Sequence, residues 1–147
     1  MKREIKFRGL QKNNNEWIIG YLELRDRIDT NGKKVIDATI SKSTYNEKYC
    51  NFIYIKERVI IETVGQFTGL KDKNGVEIYE GDNLLDKYPI DDEDLSKGYN
   101  ESLLPVVWCD KKLMWCVDGS FKKYGSFLTS LVDYFGDFLE VKGNIHE

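Results

Sequence analysis

A dominant period of two among the apolar residues, broken by Asn-Gly pairs, constrains this chain more than any other pattern. Ile5 and Phe7, then Trp17, Ile19 and Tyr21, stand two residues apart. Ile53 and Ile55 flank Tyr54, and Val76 and Ile78 flank Glu77. A period of two is that of a strand whose side chains point alternately to its two faces. The positions are filled by β-branched and aromatic residues, which strands favour. Asn31-Gly32 lies between Ile28 and Val35, and Asn74-Gly75 between Leu70 and Val76. Both residue types tolerate positive φ, so each pair predicts a tight hairpin. A third hairpin is predicted without glycine. Val106–Cys109 and Met114–Val117 flank Asp110–Leu113, which places Trp108 opposite Trp115 and sets Cys109 and Cys116 diagonally on the other face.

One helix is expected near the C-terminus. Ser126 can cap it, Phe127, Leu128, Leu131, Val132 and Phe135 have helical spacing, and Gly136 can end it. Asp86 to Leu104 contains Pro89, Gly98 and the run Asp91-Asp92-Glu93-Asp94, and reads as a long exposed acidic loop. The fold class expected is therefore mainly β with a minor α part. Antiparallel hairpins would curl into one or two small barrel-like sheets with one short C-terminal helix. The 147 residues suit one domain, or two lobes of about 1–62 and 63–147 sharing a core.

The segment Val64-Gly65-Gln66-Phe67-Thr68-Gly69-Leu70-Lys71-Asp72-Lys73-Asn74-Gly75-Val76-Glu77-Ile78-Tyr79-Glu80-Gly81-Asp82 resembles the signature of the YopX family of bacteriophage and prophage proteins. The opening Arg3-Glu4-Ile5-Lys6-Phe7-Arg8, the polar turn Gln11–Asn15 and the following Trp17–Tyr21 resemble the family's first strands. Glu140–Glu147 resembles its terminal strand. Residues 83–139 match poorly. The resemblance implies a fold and a phage or prophage setting, and no activity.

The residues for common catalytic devices are not arranged to serve them. The single histidine, His146, is the penultimate residue, a poor place from which to hold a base against a nucleophile. No catalytic residue is therefore assigned. Cys50, Cys109 and Cys116 lack the close pairing that structural zinc prefers, and they suit reduced thiols in a cytoplasm. Aligning Gly75 with the invariant glycine of a calcium loop puts Leu70 and Gly81 at its two ends, and neither offers a side-chain oxygen. Neither common phosphate-binding glycine motif occurs. No metal and no cofactor are assigned. No apolar run approaches the ~20 residues of a membrane helix, and the charged N-terminus is unlike a signal peptide. The expectation is a soluble cytoplasmic protein of a bacterial host, with no membrane partner.

Within the signature, glycines between apolar positions suit tight turns, and Thr68 and Asp72 can satisfy backbone donors locally. Alternation places Val76 and Ile78 on one face as core, with Glu77 and Tyr79 opposite. Gln66, Thr68, Lys71, Glu77, Tyr79, Glu80 and Asp82 form a candidate ligand surface. The main functional expectation is a non-enzymatic accessory protein that binds another macromolecule, a host or phage protein or a second copy of itself. Plentiful aromatics and an uneven charge distribution motivate it. The alternative is a nucleic-acid-binding regulator using Arg3, Lys6, Arg8, Trp17, Tyr21 and Arg25 on a small β-barrel surface. The net charge of −3 argues against strong non-specific affinity of that kind. An enzyme of unrecognised type is the third reading.

Overall fold

A computed structural model describes residues 4–91, 93–119, 128–131 and 139–147. Contacts divide the chain into two compact units, Met1–Phe67 and Thr68–Glu147.

Unit 1 is built on four strands in sequence: β1 (Phe7–Leu10), β2 (Trp17–Ile28), β3 (Lys34–Asn46) and β4 (Asn51–Val59). A 3-10 turn at Ile61–Thr63 follows. Next comes β5 (Gly65–Lys71), whose first residues pair with β1. The order across the sheet is β4-β3-β2-β1-β5, all antiparallel. The strands are staggered. β2 pairs with β1 through Trp17–Gly20 and with β3 through Tyr21–Ile28. The exchange of partners occurs at Gly20. A Cβ there would sit 2.1 Å from the Ser41 carbonyl oxygen, so only glycine lets the strands pass so closely. Ile18, Ala38, Ile40 and Val59 form the buried core, flanked by Phe7, Leu22, Ile55, Ile61 and Val64.

Unit 2 begins with the rest of β5, which turns through Asn74-Gly75 into β6 (Glu77–Tyr79). Gly32 and Gly75 adopt φ of 78° and 82°, the left-handed values that their hairpins require. β7 (Asp82–Pro89), β8 (Tyr99–Cys109), β9 (Met114–Asp118), β10 (Leu128–Ser130) and β11 (Glu140–Asn144) form a second sheet of order β10-β9-β8-β7-β11. Its core is Ile78, Leu84, Leu104, Val106, Val117, Leu131 and Leu139. Trp108 lies opposite Trp115, with ring centroids 5.0 Å apart and planes at 73°. Cys109 and Cys116 are both buried beside that pair. Burial, and then the neighbouring Cys109, push the Cys116 thiol above its usual range.

The mainly antiparallel β class is as expected, and four details of the sequence reading are corrected. Among the described residues the sheets do not close into barrels. In unit 1 the ends curl far enough for one isolated bridge, Gln11↔Val59, and no further. The C-terminal helix is not formed by Leu128–Ser130, which pair with β9 as a strand. The amide of the buried Leu131 then donates to the Trp115 carbonyl at 2.8 Å. The helix's other positions, Ser126, Phe127, Val132, Phe135 and Gly136, lie outside the described residues. Among the described residues the only helical elements are two 3-10 turns, and no helix is long and apolar enough to cross a membrane.

The acidic loop shrinks to residues 90–98. Asp86–Pro89 and Tyr99–Leu104 are strand, joined across the ladder by the Lys87–Glu101 ion pair at 2.5 Å. Pro89 sits at the strand's end, where its missing N–H breaks no interior bond. Asp94 caps the 3-10 turn at Leu95–Lys97 by accepting from the Ser96 amide, and Lys97 pairs with Asp91. Finally, Val76 is 48% exposed whereas Tyr79 is 1% exposed, the reverse of the alternation argument. Val76 closes the Asn-Gly hairpin, its carbonyl accepting from the Asp72 amide, and so stands outside the core.

Candidate functional site

The signature segment is organised by two carboxylates and a hydroxyl. Asp72 is buried. Its Oδ1 accepts from the amides of Asn74 and Val76 at 2.8 and 2.9 Å, which locks the hairpin turn. Its Oδ2 accepts from the Val141 amide at 3.1 Å, tying the turn to β11. Asp82 is 1% exposed. Its Oδ2 accepts from the Tyr79 amide at 2.8 Å and its Oδ1 from Asn144 Nδ2 at 3.3 Å. Thr68 donates its hydroxyl to the Ile78 carbonyl at 2.8 Å and accepts from the Leu70 amide. Burying such groups costs heavily unless they are bonded, and here every one is. They hold the segment's backbone in place.

The other residues of the candidate ligand surface differ in burial. Tyr79 is buried and donates its hydroxyl to the half-buried Glu77 at 2.8 Å. Gln66 and Glu80 are half-buried, and Lys71 is exposed. Among the described residues no three His, Cys, Asp or Glu side chains gather as a metal-holding set.

The nucleic-acid candidates fall differently. Arg3 lies outside the described residues. Alternation along β2 puts Trp17, Tyr21 and Arg25 on one face, and the Arg8↔Ile19 pairing puts Arg8 there too. Arg8 stacks its guanidinium 4.5 Å from the Trp17 ring centroid, and Lys6 lies 4.7 Å over Phe67. Cations stacked in this way are engaged with the chain's own rings. Tyr21 is 70% exposed, and Arg25 pairs with Glu23 at 2.5 Å.

That face continues over β3 and β4, which sequence reasoning did not single out. The registers Ser41↔Lys56, Thr39↔Arg58 and Arg25↔Asp37 set Arg25, Arg27, Lys56 and Arg58 around an open depression of about 440 Å³. Glu23 and Asp37 stand among them, paired with Arg25, Lys56 and Arg27. Lys56, and then Arg25, hold the Glu23 carboxyl below the usual carboxylate range. Toward the β3–β4 turn the same face carries Tyr45, Phe52 and Tyr54, all at least half exposed. On the opposite face, Leu22, Ala38 and Ile40 belong to the core, but Leu24, Ile28 and Ile36 beyond them are exposed. A signal for this was present: two adjoining hairpins with long arms and too few residues in unit 1 to cover both their faces.

The model of the YopX protein family matches residues 6–147. The chain belongs to the YopX family. Among curated proteins no match is found. The crystal structure of protein EF1440 from Enterococcus faecalis aligns with 99% of this chain and 96% of its own, at 21% identity and a TM-score of 0.45.

Proposed function

We propose that this YopX-family chain is a phage- or prophage-encoded accessory protein that binds another protein in the host cytoplasm and catalyses no reaction. One observation carries the reading. The β2–β3 hairpin continues the hydrophobic face of unit 1 past its core into solvent, leaving Leu24, Ile28 and Ile36 at least half exposed. Apolar side chains joined to a core and left uncovered mark a surface meant for a partner. Asp26 lies within this patch, between Leu24 and Ile28 and opposite Ile36, and Lys34 stands at its end opposite Ile28, so polar groups accompany the apolar ones as they do in such interfaces. The test is capture from phage-infected cells by the immobilised chain, compared with Leu24→Asp/Ile36→Asp. A protein held by the first and lost by the second supports the reading. Identical capture by both sinks it.

A second reading has its own observation, the opposite face with Tyr21 and Tyr54 beside Arg25, Arg27, Lys56 and Arg58. Unit 1 carries thirteen Lys/Arg against nine Asp/Glu, a charge of +4 on a chain of −3. Single strands bind such faces by stacking and by phosphate contacts, and the affinity falls steeply with salt. Titration with a labelled oligothymidylate at two salt concentrations decides it. Binding that does not weaken with salt, or no binding, removes this reading.

A further inference from the structure

β4 is the outermost strand of its sheet. The carbonyl of Arg58 accepts from the Lys12 amide, and the Ile60 amide donates to Leu10, on the side away from β3. Backbone groups alternate sides along a strand, so the even-numbered residues of β4 all present their N–H and C=O outward. Arg58 and Ile60 are satisfied there. Phe52, Tyr54 and Lys56 form no such bond among the described residues, leaving an open row at the edge.

Proteins normally guard such an edge with proline, with charge, or by making the strand short. This edge has nine residues and no proline, and its half Asn51–Ile55 carries no charge. Side chains are bare on both faces as well: Phe52 is 74% exposed, Tyr54 65% and Ile53 41%. An edge that is long, apolar and unpaired is a template for another strand.

We propose that the occupant is β4 of a second copy of this chain, paired antiparallel about a two-fold axis at Tyr54. The argument is one of self-complementarity. An isologous contact must match a patch to itself. Only registers that oppose even residues to even residues bring the outward groups together. Centring on Tyr54 opposes Tyr54 to its copy and Phe52 to Lys56, and uses all three open residues in about six backbone hydrogen bonds. Ile53 then faces Ile55, Asn51 faces Glu57, and no like charges meet. Shifting the axis to Ile53 pairs Lys56 with Cys50, inside the turn. Shifting it to Ile55 pairs Phe52 with Arg58, whose carbonyl is already taken. The result is one sheet running through both copies. This surface is separate from the Leu24–Ile36 strip, so the two proposals stand or fall apart.

Sedimentation of the full chain from micromolar to several hundred micromolar should show a dimer, and a monomer throughout overturns the proposal. Tyr54→Pro removes an N–H that points outward and is not bonded to β3, so it should shift dissociation at least tenfold toward monomer while leaving Leu24→Asp-sensitive capture intact. A dimer unaffected by this change places the contact elsewhere. A third measurement does not depend on that variant folding. In a Cys50→Ser background, Tyr54→Cys puts two thiols across a hydrogen-bonded pair whose Cα atoms lie about 5.5 Å apart, within reach of a disulfide. Mild oxidation should yield a covalent dimer from Tyr54→Cys and none from Tyr45→Cys on the inner strand. Absence of the first, or equal yield from both, overturns the register.

Discussion

The sheets of the two units spend their residues differently. β2, β3 and β4 contain 12, 13 and 9 residues, yet they supply only four core side chains, Ile18, Ala38, Ile40 and Val59. β7, β8 and β9 are shorter, at 8, 11 and 5 residues, and bury Leu84, Leu85, Leu104, Val106, Cys109, Cys116 and Val117. The second sheet is made to be covered by its own chain. The first extends strands beyond what its own core needs, and a two-stranded ribbon alone is marginal in water.

Substitutions can break this contrast. The largest effect is expected at Ile78, which is fully buried. Ile78→Ala should cost about 2–5 kcal/mol in urea unfolding. Ile36→Ala on the exposed ribbon should stay within about 0.5 kcal/mol. Equal costs would show that the ribbon is packed after all. Val76→Ala should resemble Ile36→Ala, since Val76 has left the core.

Next in size is Asp72→Ala, which strips three backbone amides of a charged acceptor. The loss should be about 2–3 kcal/mol, as for hydrogen bonds to ionised groups. Hydrogen exchange should quicken at Val76 and Val141 together. If only Val76 responds, the tie to β11 adds nothing.

Two edge-to-face aromatic pairs allow a finer comparison. Trp108–Trp115 in unit 2 should couple by about 0.5–1.5 kcal/mol in a double-mutant cycle. Tyr45–Phe52, at 5.2 Å and 62°, has a similar geometry but is far more exposed. Its coupling should lie near the low end for cross-strand pairs, about 0.2 kcal/mol. A coupling there as large as the tryptophans' would mean that solvent does not weaken the ribbon's contacts.

The smallest effect is electrostatic. Lys142, and then Lys73, hold the Glu140 carboxyl below its ordinary range at distances of 2.6 and 3.1 Å. The folded chain therefore releases this proton more readily than the unfolded one. The contribution is present above the ordinary carboxylate range and is lost as pH falls through the lowered folded value. Glu140→Gln should flatten acid unfolding slightly, and an unchanged slope would show that solvent screens the pair completely.

What could be read in advance was local. The Asn-Gly hairpins and the Trp108–Trp115 register depend on turn chemistry within a few residues, and both are present. The hairpin arms at 86–89 and 99–104 read as loop in the sequence because they carry charge and proline. They are joined by a backbone ladder, which no apolar period announces. Leu128–Ser130 shows the converse. The helical spacing of Leu128 and Leu131 also suits a three-residue strand with a turn behind it, and only the pairing with β9 decides between them. Asp72 was readable as a turn former, but its bond to Val141 crosses 69 residues and leaves no trace in any local pattern. The ribbon's exposure was hidden for a related reason. Alternation reports that a strand has two unlike faces, without reporting whether the chain has anything left to lay against them.

The pairing of β11 with β7 has a consequence for the order of events during synthesis. Unit 1 takes all its strand partners from the first 67 residues, so it can assemble once these have left the ribosome. Unit 2 cannot. Asp82 waits for Asn144, 62 residues further on, before its second hydrogen bond exists. At about 5–20 residues per second, unit 1 leads by roughly 4–15 s. Through that interval a nascent chain presents a finished β4 edge while the sheet of its second half is still missing its last strand.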